Sequence, residues 1–421
     1  MQPYLFDIAV IGGGASGLAA AIEAKRYGKS DCRVAVMEKN TRLGKKILAT
    51  GNGRCNLGNI EEKQSVHYSG TCTDLIKLLF EEFKGSEDFF KSMGVICRID
   101  SGRLYPYSNH AASVLDALRF QLQDLDVDIF TDMEVVSLKY DDNGMWTIST
   151  NSDKIITKKV IVSCGGKAAP SMGTNGSFYR VLSSIGCESS SIKPALCPAY
   201  TDQVLLKGLK GIRATAKASL YNSKGKLIRS DSGEVQFTDK TLSGICIFNL
   251  AAFAGDENMY IQLDLLPNLT DIELNELLWD VYTKRSMWNI EDMLSGVFQK
   301  KMCQALFKSS GIVADMKLPV YTLNPYDIEK LAKTIKAWTF PVLQFGDWKQ
   351  AQTTSGGILR NQIKSTLESI NCPGIYFSGE VLDIAGECGG YNLAWAWCSG
   401  TYAARNAVDS LKGCDNCDKS I

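Results

Sequence analysis

The feature that most constrains the fold is a glycine-rich turn near the amino terminus. The apolar run Leu5–Ile11 predicts a buried strand, and Ser16–Tyr27, rich in Ala and Leu, predicts a helix that ends at Gly28. Between them lies Gly12-Gly13-Gly14-Ala15-Ser16-Gly17, and a second apolar run, Arg33–Met37, follows at the spacing of a parallel crossover. A strand–turn–helix–strand unit with this turn is typical of dinucleotide-binding Rossmann domains.

Each glycine of the turn has a separate physical task. Gly12 permits the tight turn, Gly14 lets the backbone approach a pyrophosphate, and Gly17 lets the helix and the strand pack closely. The free N–H groups at the start of the helix, at Ala15 and Ser16, are expected to face the anion. We therefore predict that this turn binds the phosphates of a dinucleotide.

The acidic residue after the second strand limits which dinucleotides can bind. Glu38, followed by Lys39, stands where a carboxylate can accept hydrogen bonds from both hydroxyls of an adenosine ribose. A 2′-phosphate would be repelled by that charge. The expected ligand is therefore FAD or NAD, and we include both residues in the predicted site.

The sequence beyond Glu38 favours FAD. A nicotinamide domain usually continues with further strand and helix repeats, whereas here Gly44-Lys45-Lys46 leads into the small, polar segment Thr50–Asn56. Such a loop can wrap its backbone around a bulky ligand and adds cationic and amide donors. The predicted cofactor contacts in this region are Gly44, Lys45, Asn52, Gly53, Arg54, Cys55 and Asn56.

Two later regions carry the same kind of signal. The runs Val127–Phe130, Glu134–Tyr140 and Met145–Thr150 predict a small antiparallel meander. Val160–Gly166 then predicts a buried strand ending in glycines. Far along the chain, Gly374–Glu380 is again strand, glycine and acid, followed by a predicted helix to about Ala407. The predicted contacts in these regions are Val135, Cys164, Gly165, Gly166, Gly379, Glu380, Gly389, Gly390, Tyr391 and Asn392.

Because both ends of the chain supply cofactor elements, the predicted domain is discontinuous. Residues 1–190 and 345–421 form the FAD-binding domain, and residues 191–344 form an inserted substrate or cap domain. In the insert, strand-like runs extend to about residue 265, and helical spacing follows in Asp271–Tyr282, Ile290–Phe307 and Pro325–Trp338. The fold class is α/β, a Rossmann domain with an inserted β plus helical domain.

These segments resemble the BaiN-like, or YhiN-like, flavoprotein family, some of whose members are described as aminoacetone oxidases. The motifs that carry the resemblance are Gly12–Gly17, Thr50–Asn56, Gly102-Arg103-Leu104-Tyr105-Pro106 and Gly379–Gly400. The resemblance implies non-covalent FAD, a glutathione-reductase-like flavin domain, and an inserted domain that covers the flavin. Glu380 stands where many distant flavoproteins carry an Asp that binds the ribitol.

The flavin itself supplies the redox chemistry, so we assign no catalytic side chain. The leading hypothesis is an FAD-dependent oxidoreductase that transfers hydride between a small organic substrate and FAD. NAD(P)H is a possible transient electron donor, because no second Gly-x-Gly-x-x-Gly unit follows a strand. Two alternatives stay open: a flavin oxidase that converts a small amine and produces peroxide, and an FAD-containing protein that modifies or binds nucleic acid.

Composition limits the partners. Lys and Arg number 46 and Asp and Glu number 46, so no net field attracts nucleic acid, and we expect no nucleic-acid partner. Charged residues interrupt each apolar stretch before the roughly 18 residues that a membrane span requires. The fourteen scattered cysteines favour reduced thiols in the cytoplasm, and with only His67 and His110 we predict no metal site. The sequence does not determine the substrate or the oligomeric state.

Overall fold

The computed structural model describes residues 4–255 and 258–415, and the chain divides into two compact units. Unit 1 comprises Met1–Pro194 and Ala351–Ile421, and unit 2 comprises Ala195–Gln350. Each unit buries an apolar core of its own. Both ends of the chain therefore contribute to one unit, and the middle of the chain forms the other.

The helices and strands are numbered in chain order. The first part of unit 1 contains β1 (Tyr4–Ile11), α1 (Ala15–Gly28), β2 (Val34–Met37), β3 (Gly58–Asn59), β4 (Tyr68–Ser69), α2 (Leu75–Phe83), α3 (Ser86–Lys91), β5 (Cys97–Asp100), β6 (Arg103–Pro106), α4 (Ala111–Asp124), β7 (Asp128–Phe130), β8 (Val135–Tyr140), β9 (Trp146–Thr150), β10 (Lys154–Val162), α5 (Phe178–Ser184) and β11 (Lys193–Ala195). The middle of the chain contains β12 (Ala199–Tyr200), α6 (Gln203–Leu206), β13 (Arg213–Asn222), β14 (Leu227–Phe237), β15 (Thr241–Ser243), α7 (Ile245–Ala252), β16 (Met259–Asp264), α8 (Asp271–Lys284), α9 (Lys300–Ser309), α10 (Pro325–Lys336), β17 (Trp338–Val342) and β18 (Gln344–Phe345). The last part contains β19 (Thr353–Ser355), β20 (Ile375–Phe377), β21 (Ala385–Gly386) and α11 (Tyr391–Asp415).

The main sheet of unit 1 joins the two ends of the chain. Its parallel strands lie in the order β7-β2-β1-β10, and β20, from the last part of the chain, pairs in parallel with β10. The register places Val10 opposite Ile161, and Ile161 opposite Tyr376. The strand β2 is buried along its whole length, as the continuous apolar run Val34–Met37 requires. The predicted discontinuous Rossmann fold is confirmed.

Strand β10 pairs with a different strand along each half of its length. Its first half, Lys154–Thr157, pairs antiparallel with β9, and its last residues, Val160–Val162, pair in parallel with β20. Strand β8 continues the antiparallel meander beyond β9. The prediction that Val127–Phe130 belongs to this meander is wrong, because β7 pairs in parallel with β2 instead. A run of three or four residues has too little periodicity to distinguish these two pairings.

Unit 2 is built around a seven-stranded antiparallel sheet. The strand order is β17-β16-β13-β14-β15-β12-β18, with antiparallel pairing throughout. Only Leu343 separates β17 from β18, so one continuous segment pairs with β16 at one edge and with β12 at the other. The prediction of strands to about residue 265 followed by helices omitted this last segment, which returns to the sheet after the helices.

Two helices of unit 2 begin at capping boxes. Thr270 and Glu273 form a reciprocal capping box at α8, and Asn324 and Asp327 form another at α10, which has Pro325 in its first turn. The predicted helix Ile290–Phe307 is only partly present, because α9 spans Lys300–Ser309 and a short 3-10 turn precedes it.

Among the described residues, no helix combines the length and apolar character needed to cross a bilayer.

Candidate functional site

The glycine-rich turn is packed tightly on one side and open on the other. A Cβ at Gly17 would lie 1.8 Å from the carbonyl oxygen of Gly12, and a Cβ at Gly12 would lie 2.4 Å from that of Ser163. A Cβ at Gly14 would meet no atom of the described residues within 4 Å. The packing role predicted for Gly17 is thus confirmed, and the turn leaves a free approach at Gly14, where α1 begins at Ala15 and Ser16.

Glu38 is held beside this turn. Its Oε2 accepts a hydrogen bond from the Gly13 N–H at 2.8 Å, and its Oε1 accepts one from the Asn40 N–H at 2.8 Å. The residue is 8% exposed. The Met133 N–H donates to the Glu38 carbonyl oxygen at 3.0 Å, which brings the chain just before Val135 alongside. Glu38 therefore places a carboxylate next to the glycine-rich turn, where the predicted site requires an acceptor for an adenosine ribose.

Replacing Glu38 by alanine should weaken FAD binding by about 1.5–3 kcal/mol, or roughly 10- to 100-fold, because a hydrogen bond to an ionised acceptor is lost. The measurement is the FAD dissociation constant from quenching of flavin fluorescence by the apoprotein. Glu38→Gln is the control, because it keeps the shape and one acceptor oxygen and should lose less affinity. An unchanged constant for Glu38→Ala would remove this residue from the site.

The polar segment Thr50–Asn56 has several residues in the left-handed backbone region and leaves free space at Gly53. Gly51, Asn52, Gly53 and Cys55 have φ values of 56°, 56°, 83° and 58°, in the left-handed region. A Cβ at Gly53 would meet no atom of the described residues within 4 Å. The Arg54 guanidinium stacks over the Tyr105 ring at 4.8 Å, which joins the segment to the Gly102–Pro106 motif.

Cys55 is fully buried within this loop. Burial raises the pKa of its thiol to about 11, although a hydrogen bond with Thr50 opposes the shift. Only the thiolate is a strong nucleophile, so little of the reactive form exists near neutral pH. The buried and largely protonated thiol of Cys55 is therefore suited to packing within the loop rather than to redox chemistry.

Cys55 should therefore resist alkylation by iodoacetamide at pH 8 in the folded protein. Cys97 is the matched comparison, because burial raises the pKa of its thiol to about 11 as well, yet its side chain is partly exposed. We expect slow modification of Cys97 and none of Cys55, measured by peptide mass spectrometry. Rapid modification of Cys55 would contradict this burial and would indicate an accessible, reactive thiol.

The carboxyl ends of β10 and β20 meet the turn at the same edge of the sheet. The Ser163 and Ser378 hydroxyls are 2.7 Å apart, and a Cβ at Gly379 would lie 2.4 Å from Ser16 Oγ. Ligands of open α/β sheets bind outside the carboxyl ends of the strands. The predicted residues Cys164, Gly165 and Gly166 follow β10 directly at this edge.

Glu380 already has two partners in the structure. Its Oε2 lies 2.9 Å from Lys46 Nζ, and its Oε1 accepts a hydrogen bond from the Thr354 N–H at 2.8 Å. The sequence interpretation placed Glu380 in the cofactor site but selected neither Lys46 nor Thr354. Lys46 lies within the quoted Gly44-Lys45-Lys46 motif, whereas no local pattern marks Thr354.

Other predicted residues hold the loops together. The Gly44 N–H donates to the Gly13 carbonyl oxygen at 2.8 Å. Lys45 Nζ donates to the Ser171 carbonyl oxygen at 2.8 Å, and Lys39 Nζ donates to Asn175 Oδ1 at 3.0 Å. These contacts join the turn, the polar loop and the segment after β10 into one edge of unit 1.

The start of α11 lies at this edge as well. Gly389 and Gly390 have φ values of 134° and 103°, and a Cβ at Gly390 would lie 2.2 Å from the Gly58 carbonyl oxygen. Asn392 Nδ2 donates to the Gly386 carbonyl oxygen at 2.7 Å, and its Oδ1 accepts from the Gly386 N–H at 2.9 Å. The first turn of a long helix carries roughly half a positive charge and free N–H donors. It therefore offers a binding position for an anionic edge of a ligand.

Aromatic residues around α11 have structural partners. Tyr391 stacks on His67 with ring centroids 4.5 Å apart, and His67 Nδ1 lies 2.8 Å from Glu387. Burial, together with the carboxylates of Glu61 and Glu387, raises the pKa of Tyr391 to about 12. The Trp395 indole donates to the Gly379 carbonyl oxygen at 3.1 Å. These contacts hold the polypeptide around the helix start.

The residues of this edge fit FAD. The approach is open at Gly14 and Gly53, Glu38 offers an acceptor for ribose hydroxyls, and the α11 start offers donors for the flavin ring. Asn56 Oδ1, buried beside Gly390, has no hydrogen-bond partner among the described residues. A Rossmann sheet with this edge defines an FAD-binding flavoprotein of the glutathione-reductase-like type.

Comparison with known proteins identifies the family. The chain belongs to the family described as HI0933-like protein Rossmann domain, whose model matches residues 6–406. A 3-dehydro-bile acid delta(4,6)-reductase of Clostridium scindens is 34% identical over 411 residues, covering 96% of this chain and 99% of that protein. The ribosomal RNA dihydrouridine synthase of Escherichia coli is 25% identical over 407 residues, covering 96% of this chain and 98% of that protein. The resemblance predicted from the motifs is confirmed.

A solved structure shows the same fold. The 3-ketosteroid delta1-dehydrogenase of Sterolibacterium denitrificans matches with a TM-score of 0.50 at 12% identity, covering 96% of this chain and 100% of that one. At this identity the likeness shows the fold alone. Together with the family and the reductase relative, the site identifies this protein as an FAD-dependent oxidoreductase.

Proposed function

We propose that this protein reduces a carbon–carbon double bond conjugated to a carbonyl group in a small organic substrate, with NAD(P)H as the electron donor. The two relatives support this reaction class. A delta(4,6)-reductase of a 3-dehydro compound and a dihydrouridine synthase both carry names that describe saturation of a carbon–carbon double bond. In each case that bond is conjugated to a carbonyl carbon.

The structural observation that carries the proposal is the start of α11 at the cofactor edge. When bound, FAD would supply a hydride, and a proton from solvent would complete the saturation of the double bond. The N–H groups around Gly389 and Gly390, where Gly390 packs closely on Gly58, would stabilise negative charge near N1 and O2 of a bound flavin. Stabilisation of the reduced cofactor raises its reduction potential, which favours hydride transfer from NAD(P)H to the flavin.

The arrangement of unit 2 supports a transient donor. The strand pairings described in unit 2 are antiparallel, so its sheet differs from the parallel sheet of a dinucleotide-binding domain. NAD(P)H would then reduce the flavin and leave before the substrate is reduced. This sequence of events predicts that reduction by NAD(P)H proceeds without the second substrate.

The test is anaerobic mixing in two stages. The holoenzyme is first reduced with NADH or NADPH, and bleaching of the flavin absorbance is followed. A 3-oxo-Δ4 steroid is then added, and we expect the flavin colour to return with formation of the saturated ketone. Flavin that is reduced by small amines, and reoxidised only by oxygen with production of peroxide, would contradict the proposal and favour the oxidase alternative.

A second candidate substrate is uridine in ribosomal RNA. The dihydrouridine synthase relative covers nearly the whole chain. Residues 203–230 also contain seven Lys or Arg and no Asp or Glu, although Lys210 pairs with Asp239 and Arg213 pairs with Glu234. The two candidates share one reaction and differ in the substrate. Mass spectrometry of nucleosides from ribosomal RNA treated with the reduced protein would detect dihydrouridine if the second candidate is correct.

A further inference from the structure

Asn56 carries a buried acceptor that the polypeptide does not satisfy. The residue is 9% exposed, and its Oδ1 has no hydrogen-bond partner among the described residues. A buried acceptor left without a donor destabilises the folded protein, because it has given up its hydrogen bonds to water. An acceptor in this state therefore indicates a donor supplied by a ligand.

The position of this acceptor limits which ligand group can reach it. A Cβ at Gly390 would lie 2.8 Å from Asn56 Oδ1, so the acceptor lies directly beside the start of α11. The α11 helix spans Tyr391–Asp415, and its first turn offers N–H donors to an acceptor atom of the ligand. The ligand must therefore present an acceptor and a donor side by side.

The pyrimidine edge of a flavin has this pattern. It presents O2, N3–H and O4 in order, so its single donor stands between two acceptors. O2 and N3 are bonded to the same carbon atom, and an acceptor placed next to the donors that hold O2 faces N3–H. Phosphate groups, ionised at neutral pH, offer no comparable donor. The orphaned Asn56 oxygen and the helix start thus match adjacent atoms of one ring.

We propose that Asn56 is a positioning residue whose Oδ1 accepts the N3–H of the bound flavin while the start of α11 holds O2. This inference rests on the FAD chemistry of the proposed function and adds the orientation of the ring. A fixed pyrimidine edge also fixes the direction in which N5 points. Orientation of the reactive atom is the main contribution that a protein makes to flavin chemistry.

The test compares FAD with FAD methylated at N3, using apoprotein and fluorescence quenching. Wild-type protein should bind the methylated cofactor at least 10-fold more weakly, because the methyl group removes the donor and collides with Asn56. In Asn56→Ala the two cofactors should bind with similar affinity. Equal binding of both cofactors to wild-type protein, or the same discrimination in Asn56→Ala, would overturn the proposal.

Asn59→Ala is the matched control. Asn59 Nδ2 donates to the Gly389 carbonyl oxygen at 2.9 Å, so this amide supports the same helix start but already has its partner within the protein. Loss of the Asn59 amide should weaken the binding of both cofactors by the same factor. The preference for FAD over the methylated cofactor should stay unchanged. If Asn59→Ala abolished the discrimination as Asn56→Ala is expected to do, the effect would be structural and the proposal would fall.

A second variant keeps the proposal testable if Asn56→Ala does not fold. Asn56→Asp preserves shape and acceptor but adds negative charge near the position that becomes more negative on reduction. FAD should still bind, and the flavin reduction potential should fall. An unchanged potential with FAD bound would contradict the placement. Neither experiment uses a substrate, so the outcome is independent of whether the double-bond reductase proposal is correct.

Discussion

Replacing Gly14 by alanine is expected to leave the apoprotein folded and to weaken FAD binding by roughly 5- to 150-fold. The added methyl group would meet no atom of the described residues within 4 Å, and the φ of −85° is available to alanine. The same methyl group would occupy the side from which we expect the pyrophosphate to approach. Overpacking of this kind costs about 1–3 kcal/mol, which corresponds to that range of affinities.

Gly17→Ala is the contrasting variant. Its methyl group would lie 1.8 Å from the Gly12 carbonyl oxygen, so the loss should appear in the thermal stability of the apoprotein itself. Thermal unfolding without FAD and the FAD dissociation constant are measured for both variants. Wild-type affinity in Gly14→Ala would show that the pyrophosphate does not approach there. A stable Gly17→Ala apoprotein would contradict the packing of α1 on β1.

Replacing residues 195–350 by a short Gly/Ser linker should preserve FAD binding and abolish substrate reduction. Each residue that we assign to the cofactor lies in unit 1, which has its own apolar core. The linker can be short, because β11, where the chain leaves unit 1, pairs with β19, where it returns. Turnover should fall below detection because we expect the inserted domain to carry the substrate contacts.

Two measurements on the deletion variant test cofactor binding and substrate reduction separately. FAD content after gel filtration reports whether unit 1 binds the cofactor alone, with some loss of affinity expected. Reoxidation of the reduced flavin by the conjugated ketone reports whether the substrate is still used. An FAD-containing variant with full activity would rule out a substrate role for the insert. A folded variant that cannot bind FAD would contradict the assignment of the site to unit 1.

The sequence predicts which loops meet at the carboxyl edge of the Rossmann sheet, because local patterns mark them. The turn between β1 and α1, the acid after β2 and the glycines after β10 and β20 each follow a strand, and parallel strands bring these ends together. Gly17 illustrates the physical basis, since its missing side chain is required by the Gly12 carbonyl oxygen at that position.

Features that depend on distant pairings were not predictable in this way. The contacts of Glu380 with Lys46 and Thr354 join three separate segments. None of these segments has a sequence pattern that predicts its partners. The return of β17 and β18 to the sheet of unit 2 depends on which edges remain unpaired after the helices. The unsatisfied oxygen of Asn56 appears only when its neighbours are known.

The most direct test of the account is the cofactor content of the purified protein. The protein should be yellow, and denaturation should release FAD, identified by chromatography, in an amount equimolar with the chain. We expect this result because four glycine-rich elements lie at one edge of the Rossmann sheet: Gly12–Gly17, Thr50–Asn56, Cys164–Gly166 and Gly379–Gly390. A colourless protein that releases no FAD and cannot be reconstituted with it would contradict the central claim.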